Sequence, residues 1–255
     1  VLKSGMDPKK AKDNLVSFIK NEVRKSGLKR AIIGLSGGLD STVVAHLCVN
    51  ALGSENVIGV IMPYETSDPE SINDAQMVAK ELGIKTEKVD ITPMIKAYFD
   101  KFPQEDRIRI GNKMARERMS ILYDLSRVYD AMVVGTGNKT ETLLGYGTIY
   151  GDMACGIAPL ANIYKSQERE LAKYLQVPPK ILNKVPTADL WPGQTDEGEL
   201  GIDYPTMDHI LGLLVDKKMT VNEATKKGYK AEDVRKINGR VRDNAFKRKP
   251  PLAPK

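Results

Sequence analysis

The chain has 255 residues, 41% of them apolar and 28% charged, with a formal net charge of +6 at pH 7. That length can bury a full core in one large domain, and the composition is ordinary for a globular protein. No apolar run is long enough to span a bilayer, and two cysteines and two histidines do not support a disulfide framework, a zinc site or a histidine-based triad.

The N-terminal residues carry no apolar signal core, so a cytoplasmic location is expected. Asp7-Pro8 reads as a helix start, with Leu15, Phe18, Ile19 and Val23 as its buried stripe and Gly27 as its end. The branched apolar run 31–35 predicts a buried strand. Ser36-Gly37-Gly38-Leu39-Asp40-Ser41 follows, and Val43, Val44, Leu47, Cys48 and Ala51 then fall at helical spacing up to Gly53. Residues 57–62 predict a second strand, and Asp68-Pro69 opens a helix whose face is Ile72, Ala75, Val78, Ala79 and Leu82, closed by Gly83. A third strand at 86–89, helices at 93–99 and 112–128, and a fourth strand at 131–135 come next. Beyond Asp152 the pattern predicts helices at 164–175, 178–182, 205–214, 221–227 and 231–243, with Thr220 and Glu223 as a capping box. Residues 186–201 read as a long mobile loop. The alternation predicts an α/β fold: a doubly wound, mostly parallel five-stranded sheet with helices on both faces and a helical C-terminal part. One domain over 1–255 is expected, with a nucleotide-binding core at 7–152 and a helical portion at 153–255.

The Ser36 loop carries the most chemistry. A glycine-rich turn between a strand and a helix N-terminus presents free backbone N–H groups and the positive end of the helix dipole, an arrangement suited to phosphate. Gly37 and Gly38 let an anion approach the backbone, and Ser36, Ser41 and Thr42 add hydroxyls. Asp40 would repel a phosphate unless a divalent cation, most often Mg2+, stands between them. The loop lacks the lysine of a Walker A motif and the spacing of a dinucleotide fold. It and the Gly135-Thr136-Gly137-Asn138 turn both leave strands at the carboxyl edge of the sheet, so they are expected to face each other across one site. The basic residues are interleaved with acids, as in Lys80-Glu81, and aromatics are few, so no nucleic-acid partner is expected. A basic cleft for a polyphosphate accounts for the surplus charge as well.

The S-G-G-x-D-S loop resembles that of the ATP pyrophosphatase (PP-loop) superfamily. Four further segments narrow the likeness: Ala115-Arg116-Glu117-Arg118-Met119; Gly135-Thr136-Gly137-Asn138-Lys139-Thr140-Glu141; Tyr150-Gly151-Asp152 with Tyr164-Lys165; and Pro186-Thr187-Ala188-Asp189-Leu190 with Asp196-Glu197-Gly198-Glu199-Leu200-Gly201. Together they resemble NAD synthetase, over nearly the whole chain. The resemblance implies that ATP adenylates the carboxylate of deamido-NAD and that ammonia converts the acyl-adenylate into NAD and AMP. It implies ATP contacts from Gly34, Leu35, Ser36, Gly37, Gly38, Leu39, Asp40, Ser41, Thr136, Lys165 and Thr187, with Mg2+ on Asp40 and Glu141. Asp40, Glu141 and Lys165 are its expected catalytic groups. Deamido-NAD would be met by Arg116 and Lys247 and at the positions of Ile149, Gly156 and Phe246. Those last three depart from the family pattern, which has a basic residue, an acid and a histidine there. Asp152, Asp196 and Glu197 are candidate proton acceptors for the amination. Trp191 reads equally as a core anchor or a lid residue.

Small-molecule substrates and a homodimer are the partners the resemblance implies. The chain has no room for an N-terminal glutaminase domain before the first strand, so free ammonia, or a separate glutaminase, is the expected nitrogen source. A tRNA-modifying PP-loop enzyme and a non-catalytic nucleotide-binding protein are the alternatives.

Overall fold

The computed structural model describes residues 5–103, 106–191, 193–251 and 253. Strands β1 (Arg30–Gly34), β2 (Val57–Ile61), β3 (Lys85–Lys88) and β4 (Ala131–Val133) form one parallel sheet in the order β3-β2-β1-β4. Ala31 pairs with Val57 on one side, and Arg30 with Ala131 on the other. The chain therefore winds outward from β1 to β3 and then crosses back to the far side of β1. The switch point lies between β1 and β4, where ligands sit in sheets of this kind.

The expected five strands are four among the described residues. Past β4 the chain returns beside the sheet but makes a single parallel bridge, Val134 with Ile157. Pro159 opens a tight turn two residues later and has no N–H to extend a ladder. The edge strand β3 is short and mostly exposed, with lysines at both ends, a sequence that discourages further pairing.

Each face of the sheet is covered. Ala31 and Ile33 point into a cluster with Ile19, Val23, Val43, Leu47 and Leu171. Ile32 points the other way, with Ile58 and Val60, onto Ile91, Ile95 and Met114. The alternation is the period of a strand, and both faces are apolar because helices cover both. Helix α1 (Pro8–Lys25) starts where Asp7 accepts from the N–H of Lys9 at 3.0 Å, with Pro8 in the first turn. Phe18 is 39% exposed rather than part of its stripe; Leu15, Val16, Ile19 and Val23 turn inward instead. Helix α2 (Leu39–Leu52) is buried on nearly every side, so it forms the centre of one layer. Helix α3 (Pro69–Leu82) runs from the Asp68 cap to Gly83 in the left-handed conformation.

On the opposite face lie α4 (Thr92–Phe99) and α5 (Arg107–Tyr129). The latter begins more than a turn before the expected 112, because Asp106 caps it by accepting from Ile108 N at 2.9 Å. After β4 come α6 (Lys139–Leu144), α7 (Lys165–Tyr174) and α8 (Pro179–Leu182). Helices α9 (Asp196–Leu200), α10 (Tyr204–Leu211), α11 (Val221–Thr225) and α12 (Ala231–Asp243) complete the chain. With α6 these helices enclose a third apolar cluster that includes Leu144, Met207, Ile210, Leu211, Val234 and Ile237. The capping box at Thr220 and Glu223 is present. Residues 186–201, expected as one loop, contain α9, and the N–H of Asp196 returns to the Pro186 carbonyl at 3.0 Å. Pro192 and residues 1–4 of the expected N-terminal reading lie outside the described residues.

Candidate active site

The turn after β1 is built around Gly37, whose φ of +75° belongs to the left-handed region. A Cβ at this position would overlap the carbonyl oxygen of Ser71 in α3, so only glycine lets the loop lie this close to the helix. Gly38 caps α2 without a side chain, and Ser36 Oγ lies 3.1 Å from Ser41 Oγ and accepts from Gly38 N at 3.2 Å. The loop is thus tied to itself, with its backbone turned toward the sheet edge. Asp40 stands in the first turn of α2 and projects toward β4.

The turn after β4 meets it there. Asn138 is fully buried and donates from Nδ2 to Asp40 Oδ1 at 2.8 Å. The same side chain caps α6 by accepting from Glu141 N at 3.0 Å, and Glu141 answers by accepting from Asn138 N at 3.3 Å. Lys165, 1% exposed, completes the group from the first turn of α7. Its ammonium is ion-paired with Asp40, 3.8 Å from Glu141 Oε1 and 3.5 Å from Glu168 Oε2. Its backbone is fixed by a hydrogen bond from Lys165 N to Thr140 Oγ1 at 3.0 Å. Thr140 in turn donates to the buried Asp208 of α10, which also accepts from Ser166 N at 2.7 Å.

The charges follow from this crowding. Burial is the strongest influence on Asp40 and disfavours its ionised form, but the Lys165 ammonium together with hydrogen bonds from Glu168, Lys165 and Asn138 holds the carboxyl below its usual range. Burial and the neighbouring Asp40 charge push Glu141 up to about 8. Burial alone would discharge Lys165; Asp40, Glu168 and Glu141 keep it charged, above the usual lysine range. Three carboxyls, those of Asp40, Glu141 and Glu168, thus converge on one cation, the Lys165 ammonium. The carboxyl oxygens of Asp40 and Glu141 are hard donors of the kind a divalent cation such as Mg2+ takes.

These groups stand at one end of a cavity of about 590 Å³, the size of an ordinary small-molecule site. Gly34, Leu35, Ser36, Gly38, Leu39, Asp40, Ser41, Thr136, Glu141, Lys165, Thr187 and Lys247 line it. Gly37 does not, because it faces α3. Arg116 is exposed, with Nε 3.4 Å from the Ile149 carbonyl oxygen and away from the cavity wall. Gly156 is exposed and closely backed by Met132, and Phe246 is 61% exposed. Lys247 is turned inward, donating to the carbonyls of Gly145 and Gly147 at 2.8 Å each. Asp152 and Asp196 line the cavity, whereas Glu197 does not; it accepts from Tyr204 N at 2.9 Å. Trp191 is on the cavity wall rather than in the core.

Several groups in the site carry no sign of it in the sequence. Lys184 reaches across to donate to Asp74 Oδ2 at 2.9 Å, Ser71 Oγ at 3.0 Å and Gly37 O at 3.4 Å. Arg118 donates from Nε to the Met62 carbonyl at 3.0 Å. Tyr146 Oη donates to Glu199 at 2.8 Å and lies 3.2 Å from Asp196, while Tyr204 Oη bonds the other Asp196 oxygen at 2.8 Å. Asn138 had a readable signal, the N-x-x-E spacing of a capping box, and Arg118 lies in the 115–119 segment that carries the resemblance.

A family described as NAD synthase matches residues 11–251 by its sequence model. The NH3-dependent NAD(+) synthetase of Trichlorobacter lovleyi is 48% identical over 241 residues, covering 94% of this chain and 88% of that protein. Among solved structures, the NMN synthetase of Francisella tularensis superposes with a TM-score of 0.87 at 34% identity, over 98% of this chain and 99% of that one. The NH3-dependent NAD synthetase of Campylobacter jejuni, in complex with a nitrate ion, gives 0.84 at 33% identity, over 98% and 100%.

Proposed function

Because this chain belongs to the NAD synthase family, we infer that ATP and deamido-NAD meet in the crevice between the Ser36 and Gly135 turns. The enzyme is a C–N ligase. The carboxylate of deamido-NAD attacks the α-phosphorus of ATP and pyrophosphate leaves. Ammonia then attacks the acyl-adenylate carbon, AMP departs, a proton is lost, and NAD remains.

The observation that carries the assignment is the meeting of Asp40, Glu141 and Lys165 at the switch point beside the glycine turn. In this reading the backbone of residues 36–41 and the N-terminus of α2 orient the phosphates. Gly34 and Leu35 border the nucleotide, and Thr136 and Thr187 offer hydroxyls from opposite walls. Lys165 neutralises phosphate oxygens as charge moves onto the departing pyrophosphate. Asp40 and Glu141 would hold Mg2+, which supplies electrostatic stabilisation of that leaving group. Lys247 would orient deamido-NAD from the basic tail. Arg116 and the surfaces at Ile149, Gly156 and Phe246 would take its outer part.

That outer group opens away from the cavity, which supports a homodimer with substrate near the subunit boundary. Arg116 lies on α5, whose Ile108, Tyr123 and Val128 are 68%, 41% and 65% exposed. Sedimentation velocity tests this; a single monomeric species at micromolar concentration rejects it. No helix among the described residues is long and apolar enough to cross a membrane. The reading is of a cytoplasmic enzyme that uses free ammonia or ammonia from a separate glutaminase.

Incubation with ATP, Mg2+, deamido-NAD and ammonium is expected to yield NAD, AMP and pyrophosphate in equal amounts, and glutamine alone to yield none. AMP release independent of deamido-NAD would overturn the assignment. Nicotinate mononucleotide belongs in the same assay, since one near neighbour in fold is an NMN synthetase.

A further inference from the structure

One buried acid beside the site has no place in the reaction just described. Glu168 is 0% exposed and lies one turn beyond Lys165 on α7. No donor reaches either of its carboxyl oxygens in hydrogen-bond geometry. The polar groups nearest it are the Lys165 ammonium, 3.5 Å from Oε2, and the Asp40 carboxyl. A carboxyl kept dry and without a donor is unfavourable, a cost that an apolar side chain of similar size would avoid.

The Asp40 oxygens are both engaged. Asn138 donates to Oδ1, and the Lys165 ammonium is paired with Oδ2. A divalent cation on Asp40 competes with these donors, and most strongly with the like-charged Lys165 ammonium. Asn138 is fully buried and held by the α6 cap, so it cannot withdraw without breaking that helix start. Lys165 has a fixed backbone but a long side chain whose end is free to turn. Glu141 cannot receive it, since the same cation is expected to occupy that carboxyl. Glu168 remains, already within 3.5 Å.

We propose that Glu168 is a positioning residue that receives the Lys165 ammonium when a divalent cation takes Asp40, and holds it in reach of the phosphates. Lys165 thus has two berths, Asp40 before the metal binds and Glu168 after. The proposal rests on the reading of Asp40 as a metal ligand.

The test is a Mg2+ titration followed by thermal unfolding, with a non-hydrolysable ATP analogue present, on the full chain and on Glu168→Gln. Glutamine keeps the size of the side chain but cannot serve the ammonium as a carboxylate. The half-saturating Mg2+ concentration is expected to rise about tenfold in the variant, the scale of one charge-assisted hydrogen bond. An equal half-saturation in the two proteins overturns the role of Glu168 alone. A wild-type chain whose unfolding does not respond to Mg2+ overturns the reading of Asp40, and the proposal with it. Should Glu168→Gln not fold, a crystal structure of the wild type with Mg2+ and the analogue decides. Lys165 Nζ in hydrogen-bond contact with Glu168 is the expected result; Lys165 still on Asp40 overturns the proposal.

Discussion

The Asn138 side chain spans the switch point, giving its amide to Asp40 at 2.8 Å while its carbonyl caps the helix that carries Glu141. One buried residue therefore sets the direction of both acids. Asn138→Ala is expected to lose about 1 kcal/mol of stability through the cap. It is also expected to lose about 10²-fold in kcat/KM through misplacement of Asp40. Asn138→Ser separates the two effects: serine caps a helix well but is too short to reach Asp40. Urea unfolding of this variant should match the wild type, while its turnover should match that of the alanine variant.

Gly37 is the second point where backbone geometry and site coincide. Any Cβ there meets the Ser71 carbonyl, and φ of +75° is itself unfavourable for other residues. Gly37→Ala is expected to displace the turn, lower stability by about 1–3 kcal/mol, and weaken ATP binding. Calorimetric titration with ATP and denaturant unfolding on the same preparation measure both.

The raised Glu141 gives the metal-free protein a directional response to pH. In the unfolded chain this carboxyl ionises near the ordinary glutamate value, and in the folded chain at about 8. Between those values the folded state binds the extra proton, so this group's contribution to stability is full below the lower value and is lost as pH rises through about 8. Melting temperature without metal is expected to fall over that interval, and Glu141→Gln to flatten the slope. Mg2+ affinity should rise over the same interval, because the metal takes the ionised carboxyl. A melting series in matched buffers, with and without Mg2+, checks both directions.

Lys184 fastens the segment before Pro186 to α3 and to the glycine turn through Asp74, Ser71 and Gly37. Lys184→Ala removes all three bonds but leaves Asp74 its pairing with Lys180 at 2.7 Å. Stability is therefore expected to fall by only about 1–2 kcal/mol. KM for ATP should rise severalfold, and the 184–191 segment should become more sensitive to limited proteolysis. Initial rates with ATP varied, together with a protease time course, test this.

The parts of the site that could be read in advance are those fixed by local rules. Gly37 and Gly38 lie between a branched apolar run and a helical pattern. Asp40 is one residue into the helix, and Glu141 is three residues past Asn138. The first three follow from spacing within a few positions, and Glu141 from the resemblance carried by the 135–141 segment. The contacts that escaped notice depend on partners remote in sequence: Lys184 finds Asp74 across 110 positions, and Arg118 finds Met62 across 56. Glu168 sits in Lys-Ser-Gln-Glu-Arg-Glu, which has the look of a solvated helix face. Packing of α7 against α1, α2 and α10 buries it, and no local pattern announces that. The fold was legible to the same extent. Three apolar strands, the exposed edge strand β3 and the alternating helices gave the layers, while the fifth strand is reduced to the single bridge at Ile157, just before the turn that Pro159 opens.

Lys247 and Arg248 bring the far end of the chain back onto α6. Lys247 holds the carbonyls of Gly145 and Gly147, and Arg248 reaches those of Leu143 at 2.8 Å and Val241 at 2.6 Å. The helix bearing Glu141 is consequently latched by residues synthesised about a hundred positions later. A nascent chain whose residues 245–248 are still inside the ribosome has its glycine turn but not its latch, so it matures into a working catalyst only after that stretch emerges. Loss of Lys247 and Arg248 would therefore loosen the helix that carries Glu141.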